Sequence, residues 1–87
     1  MEDKIVIFDT TMRDGEKAGH PMSVSTKVSI ARRLEQLNVD VIEFGFPISS
    51  SAEIEAGIEI SKSISGPIIC ALAGVKQSHI EAAVRSL

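Results

Sequence analysis

The amino-acid sequence predicts an α/β fold in which three parallel strands alternate with three helices. Three runs of strand length, residues 5–8, 41–44 and 68–73, are mostly apolar, and 5–8 has the continuous β-branched and aromatic character of a strand buried on both faces. The stretches that follow them carry apolar residues at helical spacing instead. Strict alternation of the two patterns implies a βαβαβα order, with parallel strands joined by right-handed crossovers.

The first strand is read as Lys4 to Phe8. It stops abruptly, and polar and ionisable residues follow at once. The first helix is read from Val24 to Leu37, with Val28, Ala31 and Leu34 recurring on one face. Ser23 is its N-cap, because a hydroxyl there accepts from an otherwise unsatisfied backbone amide. Asn38 follows the last apolar position, and Asn tolerates the left-handed conformation that ends helices.

The second strand runs from Val41 to Phe44 and is closed by Gly45-Phe46-Pro47. The second helix opens on a capping box, Ser50 with Glu53 three residues on. Ile54, Ile58 and Ser61 continue one face towards Ile64, while Glu53, Glu55 and Glu59 are read as its solvated side. Gly66-Pro67 breaks the chain before the third strand, Ile68 to Ala73. The third helix begins on a second capping box, Ser78 with Glu81. Its apolar face is read as Ile80, Ala83, Val84 and Leu87.

Each βα unit takes about 29 residues, and eight such units would need about 232, near the ~250 of a (β/α)8 barrel. The last helical pattern is still running at Leu87. Residues 1–87 therefore read as the first three units of a (β/α)8 barrel, the amino-terminal part of a larger domain.

Composition narrows the class of function. The net charge is only −3, and Lys and Arg are dispersed among acidic residues with no interleaved aromatics. Nucleic-acid binding is not expected. The single Cys70 excludes an internal disulfide and a four-cysteine zinc site. The first residues, Met1-Glu2-Asp3-Lys4, resemble neither a secretory signal nor a membrane span, so no membrane partner and a cytoplasmic setting are expected.

The chemistry concentrates after the first strand, in Asp9-Thr10-Thr11-Met12-Arg13-Asp14-Gly15-Glu16. Polar residues at the carboxyl end of a parallel strand sit where α/β folds place their sites. Arg13 and Asp14 put a permanent cation beside a hard oxygen donor. Taken alone, Arg13-Asp14-Gly15 is also a good turn. Asp9 and Thr10 either hydrogen-bond the segment that carries Arg13 or cap the strand end; the sequence does not separate the two.

The segment 9–16 resembles the opening motif of the isopropylmalate and homocitrate synthase family, metal-dependent barrels related to hydroxymethylglutaryl-CoA lyase. Val39-Asp40-Val41-Ile42-Glu43-Phe44-Gly45-Phe46-Pro47 resembles the second strand of the same family. Cys70-Ala71-Leu72-Ala73 resembles its third. Three blocks in the right order are far more specific than one short motif, and they are most similar to the isopropylmalate branch.

The resemblance implies a Claisen-type condensation of acetyl-CoA with a 2-oxo acid, 2-oxoisovalerate, in leucine biosynthesis. Homocitrate and citramalate synthases are the alternatives within the family. The resemblance further implies that Asp14 is a ligand of a divalent metal, Mn2+ or Mg2+, and that Arg13 acts catalytically where negative charge develops. Glu43 completes the implied Asp-Arg-Glu set by orienting Arg13. The family completes its metal site with a His-x-His pair on a later strand, whereas His20 and His79 are not so paired. These 87 residues alone are expected to be inactive, and the full-length enzyme is expected to be a homodimer or higher oligomer.

The remaining polar residues read more plainly. His20 is a solvated loop residue, His79 a surface residue near a helix start, and Cys70 a small buried hydrophobe. The family commonly has Gln, Pro and Arg where this chain has Lys17, Ser51 and Gly74. A second class of function stays open: a non-catalytic α/β module that associates through the open edge of its sheet.

Overall fold

Helices and strands alternate as the sequence predicts, but one helix was unforeseen. The structure, a computed structural model, describes residues 5–17, 19 and 22–87. Lys4 and His20, and with them the first residue of strand one and the loop-histidine reading, lie outside the described residues.

The elements are β1 (Phe8–Asp9), α1 (Thr11–Lys17), α2 (Val24–Gln36), β2 (Val41–Glu43), a 3-10 turn (Pro47–Ser49), α3 (Ser51–Ser63), β3 (Ile68–Cys70) and α4 (Gln77–Ser86). The three strands form one parallel sheet in the order β1-β2-β3. Phe8 pairs with Val41 and Asp9 with Ile42. Val41, Ile42 and Glu43 pair in turn with Ile68, Ile69 and Cys70.

Strand one is shorter than its apolar run. Ile5, Val6 and Ile7 precede the pairing, and each is at least half exposed. The expectation that strand one is buried on both faces is thus corrected. Ile42 and Phe44 are fully buried on one face of β2, and Ile69 and Ala71 pack on the same cluster. On the other face Ile68 is 66% exposed, so the described residues cover one face of the sheet and leave much of the other open. An apolar run reports that a strand needs two neighbours, not that both are supplied by nearby sequence.

Side chains complete the pairing at the amino-terminal end of the sheet. The Asp40 carboxylate accepts from the Ile7 amide at 2.8 Å. The Glu35 carboxylate accepts from the Ser65 amide at 2.7 Å. Each satisfies a backbone donor just before a strand begins.

Helix α2 follows its sequence signals closely. The Ser23 hydroxyl accepts from the Thr26 amide at 3.2 Å, and Asn38 takes a left-handed φ of 60° just past the helix end. Its buried stripe is Lys27, Ala31 and Leu34, with Val28 only half buried.

Helix α3 starts where predicted, with the Ser50 hydroxyl accepting from the Glu53 amide. Its buried face is Glu53, Ala56, Gly57, Ile60 and then Ile64, rotated from the predicted Ile54–Ile58 line. Glu53 is therefore buried, whereas the sequence reading placed it on the solvated side. Its carboxylate serves Lys27 rather than the cap.

Helix α4 departs most. It begins at Gln77 after Lys76, with no side-chain cap, so the Ser78 capping box does not form. Ala82 and Ser86 are its buried residues, while Ile80, Val84 and Leu87 are 49%, 69% and 55% exposed. Close approach explains the rotation. A Cβ built on Gly57 of α3 would fall 2.6 Å from the Ser86 carbonyl oxygen, so α3 and α4 nearly touch there. Only small residues permit that distance, and the larger apolar ones turn outward.

Helix α1 carries no apolar periodicity and contains Gly15, which disfavours a helix interior. Burial of Met12 in the core and local capping override that preference.

Candidate functional site

The candidate site forms where β1 and β2 end. Asp9 closes β1, and its carboxylate accepts from the Thr11 amide at 3.0 Å and the Thr11 hydroxyl at 2.9 Å. This short Asx-type turn launches α1 at the strand's carboxyl end. Met12 is the first buried residue of that helix and anchors it to the core beside Ile42 and Phe44. With Met12 inward, Arg13 and Asp14 are carried to the site side.

The two alternatives for Asp9 and Thr10 are both realised. Asp9 caps, whereas the Thr10 hydroxyl donates to Asp14 Oδ2 at 2.7 Å and so fixes a site carboxylate. Thr10 O also accepts from the Asp14 amide at 2.9 Å, in the first turn of α1.

Arg13 reaches across to the neighbouring strand. Its Nε donates to Glu43 Oε1, and its Nη2 lies 3.3 Å from Asp14 Oδ1. Glu43 is the last residue of β2 and points opposite to Ile42 and Phe44, as strand periodicity requires. It is 9% exposed, the more buried partner of a mostly buried ion pair. The hydrogen bond to Glu43 and then its charge push the Arg13 guanidinium still further above its already high pKa, with Asp14 adding a smaller effect. Arg13 is a fixed cation at any working pH.

The sequence-predicted residues Arg13, Asp14 and Glu43 thus converge from two adjacent strand ends. Asp14 is the most exposed, with 58% of its side chain accessible. A hard carboxylate oxygen of this kind suits Mn2+ or Mg2+ chemically. It is one donor only: among the described residues no group of three or more His, Cys, Asp or Glu could hold a metal ion.

Cys70 lies beside Glu43 in register on β3 and is half buried rather than fully buried. Burial, and secondarily the Glu43 charge, push its thiol pKa up. A raised pKa means less thiolate at any given pH, so iodoacetamide should alkylate Cys70 more slowly than a free cysteine at pH 8. Glu43→Gln should recover part of that rate, and burial should retain the larger part. An alkylation rate equal to that of a model thiol would contradict this placement.

His79 is half buried instead of a surface residue. Its ring meets Phe46 edge-on at 5.5 Å, and Nδ1 is enclosed without a hydrogen-bond partner among the described residues. Gly74 makes room for it, since a Cβ there would come within 2.9 Å of the ring carbon Cε1.

Sequence reasoning missed one set of residues altogether. Lys27 and Glu53 pair in the core behind β2, with side chains 0% and 7% exposed. Lys27 Nζ also donates to the Phe44 carbonyl at 2.9 Å, and Glu53 Oε2 accepts from the Phe46 amide at 3.0 Å. One clue was present. Lys27 occupies the position four before Ala31 and seven before Leu34, on the stripe those apolar residues define.

A cleft of about 390 Å3 opens at the opposite end of the strands, between Glu35, Asp40, Ser65 and Gly66. None of the three candidate site residues lines it. Among the described residues, no helix is long and apolar enough to cross a membrane.

A parallel sheet alternating with helices, with an arginine–glutamate pair and the more exposed Asp14 carboxylate at its carboxyl edge, is an α/β arrangement like the start of a (β/α)8 barrel. Residues 4–86 match the HMGL-like family, and the chain belongs to it. Over its whole length it is 56% identical to a 2-isopropylmalate synthase of Salinibacter ruber. Identity is 51% to that of Pyrococcus furiosus and 47% to that of Aquifex aeolicus, again across the whole chain. It spans only 16%, 18% and 17% of the length of these three relatives.

Proposed function

We propose that residues 1–87 form the amino-terminal part of a (β/α)8 catalytic domain that condenses acetyl-CoA with 2-oxoisovalerate, the 2-isopropylmalate synthase reaction of leucine biosynthesis. The observation that carries this reading is the Arg13–Glu43 pair, joined across two strand ends, with Asp14 beside it. In this reading the enzyme is cytoplasmic and the remaining ligands and the acetyl-CoA site come from other parts of the longer, oligomeric protein.

Each residue has a definable task. Glu43 engages the Nε edge of Arg13 and fixes the plane of the guanidinium. Arg13 then presents permanent positive charge where the keto oxygen of the 2-oxo acid gains negative charge during carbon–carbon bond formation. Orientation by a mostly buried carboxylate means little reorganisation is needed as that charge grows. Asp14, held by Thr10, offers the oxygen that would hold Mn2+ or Mg2+. When bound, such an ion polarises the keto group as a Lewis acid. Homocitrate or citramalate synthesis makes the same demands on these residues and differs in the side chain of the 2-oxo acid.

Calorimetric titration of 2-oxoisovalerate with Mn2+ into the full-length protein that carries these residues tests this reading. Binding of the oxo acid should require the metal and should weaken at least about tenfold in Asp14→Ala, the loss of one charged ligand. Equal binding by the two proteins, or none by either, would sink it.

A second reading is favoured by the open face of the sheet, where Phe8 and Ile68 are 52% and 66% exposed. A non-catalytic module would associate through that face. Its mass in solution would then rise with concentration, and Asp14→Ala would change nothing.

A further inference from the structure

We infer that Lys27 and Glu53 are positioning residues for the Arg13–Glu43 pair, acting through the backbone that follows β2. The inference rests on the reading of Arg13 and Glu43 as site residues. It concerns how they are held rather than what they bind.

Strand β2 ends at Glu43, and the next three residues, Phe44, Gly45 and Phe46, must leave the sheet without losing their backbone hydrogen bonds. On the side of β3 this is met by Phe44 N–H donating to the Cys70 carbonyl at 3.1 Å and Leu72 N–H donating to the Gly45 carbonyl at 2.9 Å. On the other side the partners are side chains. Lys27 Nζ from α2 binds the Phe44 carbonyl, and Glu53 Oε2 from α3 binds the Phe46 amide. The two side chains also bind each other, which closes a ring of interactions around Gly45.

Gly45 is required for that closure. A Cβ at this position would overlap Glu53 Oε2 and lie 2.9 Å from Lys27 Nζ. The ammonium also sits 5.9 Å from the centre of the Phe44 ring. The segment that follows Glu43 is thus gripped at the Phe44 carbonyl, at the Phe46 amide and at the intervening Gly45.

Such a grip sets the direction of the Glu43 side chain. Alternate residues of a strand point to opposite faces, so Phe44 held inward forces Glu43 outward, towards Arg13. Freeing the Phe44 carbonyl lets the strand end twist, and Glu43 turns with it. A buried pair that serves stability alone can be replaced by apolar residues of similar size with little loss. The hydrogen bonds to Phe44 and Phe46 cannot be replaced in that way.

That difference makes the test. In the whole chain, Lys27→Met combined with Glu53→Met keeps the volume and removes every charge and hydrogen bond. The reading is the 15N–1H resonance of Arg13 Nε and its rate of hydrogen exchange, with the backbone amides of α3 and α4 as internal controls. Exchange at Arg13 Nε should accelerate about tenfold, the loss of roughly one hydrogen bond, and its shift should move towards that of a free arginine. The control amides should stay protected.

Unchanged Arg13 exchange in a folded double variant would overturn the proposal. So would acceleration shared equally by the α3 and α4 amides, which would mean a purely structural role. Should the double variant not fold, Glu53→Gln decides by the same readings, because it keeps the shape and removes the charge. The readout is independent of substrate, so a failed oxo-acid titration together with a positive Arg13 result would reject the proposed activity and leave the positioning intact.

Discussion

Lys27→Ala is expected to destabilise the chain by about 3–5 kcal/mol, the usual consequence of removing one partner from a buried ion pair. The alanine leaves the Glu53 carboxylate in the core without its ammonium and strips the Phe44 carbonyl of a donor. In a domain of this size each kcal/mol moves the Tm by roughly 4–8 °C, so a fall of more than about 12 °C is expected. Thermal unfolding followed by circular dichroism measures it directly. A loss below about 1 kcal/mol would mean that water replaces Lys27 at little cost, and that the pair is not dry.

Phe44→Ala is expected to be of similar size, about 3–5 kcal/mol, for a different reason. The ring is fully buried, lies against the hydrogen face of Gly57 on α3, and is central to the core formed with Ile42, Ala56 and Ile60. Its removal creates a cavity bounded by backbone on one side, where α3 and α4 are already in close contact, so collapse is limited. Urea unfolding should show a lower midpoint with an unchanged slope. A loss near 1 kcal/mol would imply that α3 moves in to fill the space.

Much of the fold was legible because its signals are local. Ser23, Asn38 and Ser50 mark helix ends through backbone chemistry that acts within four residues. The meeting of Arg13 and Glu43 was anticipated for another reason: both follow apolar strand runs, and the segments that carry them resemble two motifs of one family. What the sequence concealed depends on contacts between distant residues. Glu53 carries a local cap signature, and its actual partner, Lys27, is 26 residues away on another helix. In α4 the periodic apolar residues indicated one face, and the close approach at Gly57 and Ser86 selected the opposite one. Helix α1 has no pattern of its own and exists because Asp9 starts it and Met12 anchors it.

The two ion pairs flank the same three-residue strand and live in different media. Arg13 is 26% accessible and borders solvent, whereas Lys27 is sealed. Counter-ions gather around the first and cannot reach the second. Rising ionic strength therefore loosens the chemistry of the strand end while its scaffold keeps its grip, so salt acts on one face of β2 as a selective solvent and leaves the other untouched.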